Sequence, residues 1–286
     1  MSHRTLVDST LLAEHLQDAD WRIFDCRHLL GDPAAGRRAY TAGHLPGAFF
    51  LHLDDDLSGP TNGRNGRHPL PDPQRLADTL GAAGVAATTQ VVAYDDAGGA
   101  FAARLWWLLR WLGHDRVAVL DGGIAAWLAA GRPLTTALPR AQPAGFAVQR
   151  RDWVVGSDDV LANLQRQGFR LIDARGADRF RGENETLDPV GGHIPGAGNR
   201  FFRDNLDADG RFRPAADLRR EFTEVLAGFD PRAVVMSCGS GVTACHNLLA
   251  MEIAGLPGAR LYAGSWSEWC SDPARPMACR TPAVAG

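Results

Sequence analysis

The chain contains two copies of one sequence pattern. Three segments of the first half recur in the same order in the second half. The pairs are Arg22–Arg27 with Arg170–Arg175, Gly43–Ala48 with Gly192–Ala197, and Val91–Asp95 with Val234–Cys238. Gly122 and Trp127 recur in the same way as Gly264 and Trp269. Because the order is kept along the whole chain, the sequence predicts a duplicated domain and not an array of short repeats.

The length and the position of the copies suggest where the two domains meet. A chain of 286 residues is long enough for two domains of ordinary size. The stretch Pro133–Phe146 is rich in proline and alanine and has no clear periodicity, which is typical of a linker. We therefore predict an N-terminal domain over residues 1–135, a linker over 136–150 and a C-terminal domain over 151–286.

Short β-branched runs alternate with helical patterns within each copy. Ala233–Met236 reads as a strand that is buried on both faces, and Thr243–Ala254 reads as a helix that ends at Gly255. In the first copy a helical pattern over Arg104–Leu112 ends at Gly113. This alternation predicts an α/β class, with a mainly parallel sheet flanked by helices in each domain.

Composition excludes several classes of function. A net charge of −3 disfavours nucleic acid as a partner. No apolar run is long enough to span a membrane and the N-terminus has no signal core, so we expect a cytoplasmic protein. All 30 basic residues are arginine, and without lysine there is no Schiff base, pyridoxal anchor or Walker-type phosphate loop. Five cysteines without a CxxC pair predict neither a disulfide framework nor a zinc site.

The two copies differ where a strand meets a glycine-rich loop. In the second copy Cys238 stands where the first copy has Asp95, and the loop continues as Gly239-Ser240-Gly241-Val242-Thr243. Glycines allow successive N–H groups to point inward, and the helix that starts near Thr243 adds the positive end of its dipole. Such a loop stabilises a thiolate and receives an anion. We predict Cys238 as the nucleophile; the alternative is a small buried side chain.

These features resemble those of tandem-domain rhodaneses. The resemblance rests on the duplicated halves, on the loop Cys238–Ala244 (CGSGVTA) and on the segment Gly264–Trp269 (GSWSEW). It implies a non-catalytic N-terminal rhodanese-like domain with Asp95 at the place of the cysteine, a catalytic C-terminal domain, and a site between the two. It further implies a sulfurtransferase that carries a sulfane sulfur on Cys238 as a persulfide and needs no metal or organic cofactor.

The resemblance also bears on the sulfur donor. Thiosulfate-preferring members carry basic residues just after the cysteine, whereas this chain has Gly239 and Ser240, as in members that prefer 3-mercaptopyruvate. Arg179 matches the substrate-binding arginine of the family, together with loop positions Gly239, Gly241, Val242 and Thr243. A second family arginine is missing from the stretch Glu185–Pro189, and Arg179, Arg181 or Arg200 could partly replace it. We expect 3-mercaptopyruvate to be the better donor and thiosulfate to be used as well.

Further roles are implied by the family. A Ser-His-Asp relay corresponds to Ser240, His68 and Asp54, with Asp55 or Asp56 as alternatives to Asp54. Such a relay would supply a proton to the pyruvate enolate. Residues that occur in both copies are interpreted as fold residues. These are His44 with His193, and the pairs Asp25–Arg27 and Asp173–Arg175, of which Arg175 is expected at the border of the site.

The predicted reaction is a double displacement. The Cys238 thiolate attacks the donor sulfur, and cyanide, a small thiol or a thioredoxin-like dithiol then removes the sulfur from the persulfide. One alternative is a persulfide relay or sensor module without turnover. Another is a phosphatase of the same fold, which uses a Cys-x5-Arg loop; here Ala244 stands in place of that arginine.

Overall fold

The structure is a computed structural model that describes residues 2–279. The described chain divides into two compact units. The first contains the residues up to Pro60, Leu70–Asp152 and Leu206–Arg213; the second contains Thr61–Pro69, Trp153–Asn205 and the described residues from Pro214 onward. Each unit therefore includes one short segment from the opposite half of the sequence.

The first unit is built on a five-stranded parallel sheet. Its elements are β1 (Leu6–Val7), α1 (Ser9–Glu14), β2 (Trp21–Asp25), α2 (Ala35–Ala42), β3 (Ala48–Phe50), α3 (Pro73–Ala82), β4 (Gln90–Tyr94), α4 (Ala102–Trp111), β5 (Val117–Leu120) and α5 (Gly123–Ala129). The strands are ordered β1-β5-β4-β2-β3, and all neighbours are parallel. Strands β4 and β5 are buried throughout, as expected where helices cover a parallel sheet.

Local sequence explains where the helices of this unit begin and end. The Asp72 carboxylate accepts hydrogen bonds from the N–H groups of Gln74 and Arg75, so it caps α3, whose first residue is Pro73. The helix predicted over Arg104–Leu112 is α4, and Gly113 follows it with φ +95°, a conformation that favours glycine.

The second unit repeats this plan with a four-stranded parallel sheet. Its elements are α6 (Ser157–Arg166), β6 (Arg170–Asp173), α7 (Ala177–Phe180), β7 (Gly198–Asn199), α8 (Ala215–Leu226), β8 (Val234–Ser237), α9 (Thr243–Ile253), β9 (Arg260–Leu261) and α10 (Ser265–Trp269), with 3-10 turns at Phe202–Asn205 and Pro231–Ala233. The strand order is β7-β6-β8-β9. The predicted α/β class with parallel sheets is confirmed. Over residues 2–279, no helix has the length and apolar character needed to cross a membrane.

Each unit contains the same buried ion pair at the end of one strand, β2 in the first unit and β6 in the second. In the first unit the Arg27 guanidinium donates to the Asp25 carboxylate and to the Gly43 carbonyl, the latter at 2.7 Å. In the second unit Arg175 makes the same contacts with Asp173 and Gly192, again 2.7 Å to the carbonyl. The recurrence of these residues is thus explained by the fold, because each arginine joins the end of a strand to the loop that precedes the next strand.

The repeated histidines also serve the fold. The His44 ring stacks on Tyr40, with centroids 3.9 Å apart, and its Nδ1 lies 2.8 Å from the Tyr40 carbonyl oxygen. The His193 ring stacks on Phe180 at 3.8 Å, and its Nδ1 lies 2.7 Å from the Phe180 carbonyl oxygen. The two histidines therefore hold equivalent loops against the preceding helix.

The loop after β4 is organised by the side chain of Asp95. This fully buried carboxylate accepts four backbone N–H groups, from Ala97 and Gly99 on one oxygen and from Phe101 and Ala102 on the other, all at 2.8–2.9 Å. The loop is thus an anion-binding nest in which the chain supplies its own anion.

Replacing Asp95 with alanine should destabilise the first unit strongly. The substitution leaves buried N–H donors without their acceptor, and each such donor costs about 1–3 kcal/mol. We expect the urea midpoint, followed by tryptophan fluorescence, to fall by an amount equivalent to about 3 kcal/mol or more. The matched control is Asp96→Ala at the exposed neighbouring position. Equal midpoints for the two variants would contradict this role of Asp95.

Candidate active site

Cys238 directly follows β8 and opens the loop that leads into α9. The residue is 2 % exposed. Its sulfur accepts the N–H of Gly241 at 3.1 Å and the N–H of Ser240 at 3.4 Å. Gly241 has φ +77°, and a Cβ there would lie 2.3 Å from the Ala263 carbonyl oxygen, so only glycine fits. The predicted glycine-rich loop therefore does direct N–H groups at the sulfur.

The rest of the loop stands at the start of the following helix. Val242 is the buried N-cap residue and Thr243 is the first residue of α9. The N-terminal end of this eleven-residue helix thus points toward the loop, and its dipole favours negative charge there.

The first turn of α10 holds the Cys238 loop in place. The Trp266 N–H donates to the Cys238 carbonyl at 3.0 Å, and the Ser267 N–H donates to the Gly239 carbonyl at 2.9 Å. The Ser265 hydroxyl accepts the Cys238 N–H at 3.0 Å and donates to the Tyr262 carbonyl at 2.9 Å. These four bonds fix the backbone on both sides of the thiol.

Ser265 is a positioning residue that sequence reasoning missed. It is fully buried and has φ +53°, a conformation that is unfavourable for a residue with a side chain. The equivalent residue of the first unit is Gly123, with φ +55°. The sequence repeat could have revealed this position, since Ser265 of the second copy corresponds to a glycine in the first.

Two members of the predicted relay lie together in the second unit. His68 Nδ1 is 2.7 Å from the Ser240 hydroxyl oxygen, and both residues are buried. His68 belongs to the segment Thr61–Pro69, which packs with the second unit although it comes from the first half of the sequence. The Arg67 N–H donates to the Ser267 hydroxyl at 3.1 Å and helps to hold this segment.

The third member, Asp54, belongs to the first unit. Its carboxylate lies near two buried or half-buried rings, those of His28 and His52, and donor atoms of the three residues fall within 4.8 Å of one another. Among the described residues this is the one group with the spacing of a metal site. The role of Asp54 in a relay stays a prediction.

Three arginine side chains surround Gly239, next to the thiol, two of them through a guanidinium nitrogen. A Cβ on Gly239 would lie 2.9 Å from Arg67 Nη2, 3.6 Å from Arg179 Nη2 and 3.8 Å from Arg175 Cδ. We call Arg67, Arg175 and Arg179 the arginine cluster. The loop itself carries no charge, as its sequence shows, and side chains from other segments supply positive charge beside it. Arg67 was missed, since it is distant in sequence and follows an irregular stretch.

Two buried carboxylates belong to the same cluster. Glu185 lies 2.7 Å from Arg179 Nη2 and 3.3 Å from Arg175 Nη1. Asp188 contacts Arg67 directly and lies 3.5 Å from Arg179 Nη2. Burial raises the pKa of Asp188. Burial also raises the pKa of Glu185, but hydrogen bonds from Arg179 and from the Leu187 N–H outweigh it, so that this pKa is lowered.

Of the three arginines predicted as partial replacements, Arg181 and Arg200 have other partners. Arg181 pairs with the exposed Glu183 at 2.6 Å. Arg200 pairs with Glu221 at 2.7 Å and donates to the Asp204 carbonyl. The additional guanidinium beside Gly239 is therefore that of Arg67.

The other cysteines lie in different surroundings. The Cys245 thiol is buried and donates to the Gly241 carbonyl at 3.3 Å. Burial raises the pKa of Cys270 to about 11 and raises that of Cys26 as well. Cys279 is exposed. A thiol with a raised pKa is a poor nucleophile at neutral pH, which disfavours Cys26 and Cys270, whereas the Cys238 sulfur accepts two backbone N–H groups.

Comparison with known proteins decides the family. The model of the rhodanese-like domain matches residues 8–130 and again residues 157–272. The chain belongs to the rhodanese family. The predicted family is thereby confirmed, as is the presence of two copies of its domain.

Individual relatives cover nearly the whole chain. A protein of Pseudomonas aeruginosa named "Probable 3-mercaptopyruvate sulfurtransferase" is 50% identical over 281 residues, which are 97% of this chain and 99% of that protein. The thiosulfate sulfurtransferase of Cricetulus griseus is 34% identical over 93% of this chain and 92% of its own. The solved structure of 3-mercaptopyruvate sulfurtransferase from Leishmania major has a TM-score of 0.82 and 34% identity, and covers 93% of this chain and 74% of that one. These relationships confirm the predicted sulfurtransferase class.

Substitutions at Ser265 should separate its backbone strain from its hydrogen bonds. In Ser265→Gly the strain is relieved while the hydroxyl is lost, whereas Ser265→Ala keeps the strain, worth about 1–3 kcal/mol, without compensation. We expect both rhodanese variants to alkylate more slowly at Cys238 with iodoacetamide, and the alanine variant to melt at a lower temperature than the glycine variant. Alkylation at the wild-type rate in both would rule out a positioning role.

Proposed function

We propose that this chain transfers sulfane sulfur from 3-mercaptopyruvate through a persulfide on Cys238. The observation that carries the proposal is the pair of N–H groups from Ser240 and Gly241 that point at the Cys238 sulfur. Together with the end of the α9 dipole they stabilise a thiolate, and after transfer they can receive the negative charge of a persulfide.

The first half-reaction begins with attack of the thiolate on the donor sulfur. A sulfur–sulfur bond forms to Cys238, the carbon–sulfur bond of the donor breaks, and its electron pair leaves as the pyruvate enolate. Ser240, hydrogen-bonded to His68 at 2.7 Å, is placed to give a proton to the enolate carbon, and His68 restores the hydroxyl. Asp54 is retained as the proposed third member of the relay.

The second half-reaction regenerates the thiolate. A nucleophilic acceptor attacks the outer sulfur of the persulfide, and the sulfur–sulfur bond breaks with its electron pair returning to Cys238. Cyanide, a small thiol or a thioredoxin-like dithiol has the required nucleophilicity. All five cysteines are free in the described structure, which fits a reducing compartment, and we propose the cytoplasm.

The donor is proposed on two grounds. The neutral residues Gly239 and Ser240 follow the cysteine, and the relative with 50% identity carries the name of a 3-mercaptopyruvate sulfurtransferase. The donor carboxylate would be bound by guanidinium groups of the arginine cluster, whose planar donors suit a carboxylate. Thiosulfate is a second donor, with sulfite as its leaving group.

Loss of the thiol should abolish sulfur transfer. After treatment with 3-mercaptopyruvate, intact-mass analysis of the wild type should show one added sulfur atom, and Cys238→Ser should show none. Cys245→Ser is the matched control and should load normally, since Cys245 lies within α9. Sulfur loading of Cys238→Ser at the wild-type level would contradict the proposal, and loading without multiple turnover would favour a relay module.

Loss of a guanidinium from the arginine cluster should weaken donor binding. A buried charge-assisted hydrogen bond is worth about 1.5–3 kcal/mol, so Arg67→Ala and Arg179→Ala should each raise KM about tenfold or more. Their kcat should change less, because the cluster contacts the donor's anionic group and not the reacting sulfur. Arg181→Ala, which removes an exposed ion pair with Glu183, is the control. Steady-state kinetics with an unchanged KM in both variants would remove the cluster from the site.

A further inference from the structure

The arginine cluster beside Cys238 is almost fully paired with carboxylates of the protein itself. Arg175 is paired with Asp173, Arg179 with Glu185, and Arg67 with Asp188. The side chains of all three carboxylates are at most 4% exposed. When every group is ionised, three positive charges are matched by three negative charges, and the site offers an incoming anion little net attraction.

The three carboxylates are not held with equal strength. Asp173 belongs to the ion pair that both units share, so it is part of the fold. Glu185 accepts hydrogen bonds from Arg179, Arg175 and the N–H groups of Leu187 and Asp188, so it is anchored. The Asp188 carboxylate, by contrast, contacts the guanidinium groups of Arg67 and Arg179, and both of these groups also lie next to Gly239.

We propose that Asp188 determines donor specificity by occupying the anion-binding face of Arg67 and Arg179, so that the site accepts a singly charged donor in preference to a doubly charged one. The inference rests on the proposed function and deepens it. A donor anion must share these two guanidinium groups with Asp188 or displace it. A singly charged carboxylate can do so at modest repulsion, whereas thiosulfate brings a second negative charge close to the same carboxylate.

The negative charge of Asp188 thus explains how arginines near Cys238 can coexist with a preference for 3-mercaptopyruvate. The neutral Gly239-Ser240 loop is surrounded by guanidinium groups that a doubly charged donor would otherwise use. Asp188 cancels this advantage because its carboxylate contacts both Arg67 and Arg179. The donor preference is therefore set by a carboxylate outside the loop, and not only by the residues after the cysteine.

The ionisation of Asp188 gives the inference a pH dependence. The charged groups that face it are Arg67, Arg175, Arg179 and Glu185, and it also influences the buried thiol of Cys270. Burial raises the pKa of Asp188, so acidification protonates it at a higher pH than an ordinary aspartate. Protonation removes its negative charge and frees both guanidinium groups. The relative use of thiosulfate should therefore rise as the pH falls.

The test compares kcat/KM for thiosulfate and 3-mercaptopyruvate in Asp188→Asn and in the wild type. The amide keeps the size of the side chain and removes its charge. We expect the thiosulfate-to-mercaptopyruvate ratio to rise about tenfold and to lose most of its dependence on pH. Asp188→Glu keeps the charge and should keep a ratio close to that of the wild type. Glu183→Gln, in the same loop but paired with the exposed Arg181, is the matched control.

A binding measurement separates this inference from the proposed function. In the Cys238→Ala background, calorimetry with thiosulfate and with pyruvate should show that Asp188→Asn tightens binding of the doubly charged anion about tenfold and that of pyruvate much less. If the wild type forms no persulfide with either donor, the proposed function fails while this measurement still tests Asp188. An active enzyme whose donor ratio and anion affinities are unchanged in Asp188→Asn would overturn the role of Asp188 alone.

Discussion

In both units, several backbone N–H groups point at one position just after a buried strand. These buried donors need a hydrogen-bond acceptor, and this need is the main constraint on both units. In the first unit the partner is the Asp95 carboxylate, which accepts four of them. In the second it is the sulfur of Cys238, which accepts two. The same backbone device therefore yields an inert loop when its anion is a carboxylate with two acceptor oxygens, and a nucleophilic site when its anion is a thiolate.

The loop could be inferred from sequence because its determinants are local. A buried strand, glycines and a helix start stand next to one another, and the repeat shows what is common to both copies. The role of Ser265 was harder to infer, since its sequence does not indicate a φ of +53° unless the residue is compared with Gly123 of the first copy. Of the arginine cluster, Arg179 and Arg175 were expected from the family resemblance, but Arg67 could not be inferred from its neighbours. Arg67 reaches the site through the placement of Thr61–Pro69, an irregular segment whose position depends on tertiary packing.

The carboxylates that accompany the arginines follow from the cost of burying charge. A guanidinium that is removed from water needs a paired partner, since an uncompensated buried charge costs several kcal/mol. Arg175 is nearly fully buried and contacts both Asp173 and Glu185. A sequence argument that counts arginines alone overestimates the positive charge of the site, because stability requires the acidic residues that neutralise it.

Under the proposed function, stability and donor binding would therefore use the same guanidinium groups. The protein holds its guanidinium groups with carboxylates before a donor arrives, so a donor anion gains only the difference between its own contacts and those it displaces. In the proposed reaction the sulfur instead uses the N–H groups of Ser240 and Gly241, which point at the Cys238 sulfur and would stabilise negative charge on it. Donor binding would then be limited by competition among the protein's own charges, whereas these N–H groups would act on the reacting sulfur, so the arrangement would favour the chemical step over tight binding.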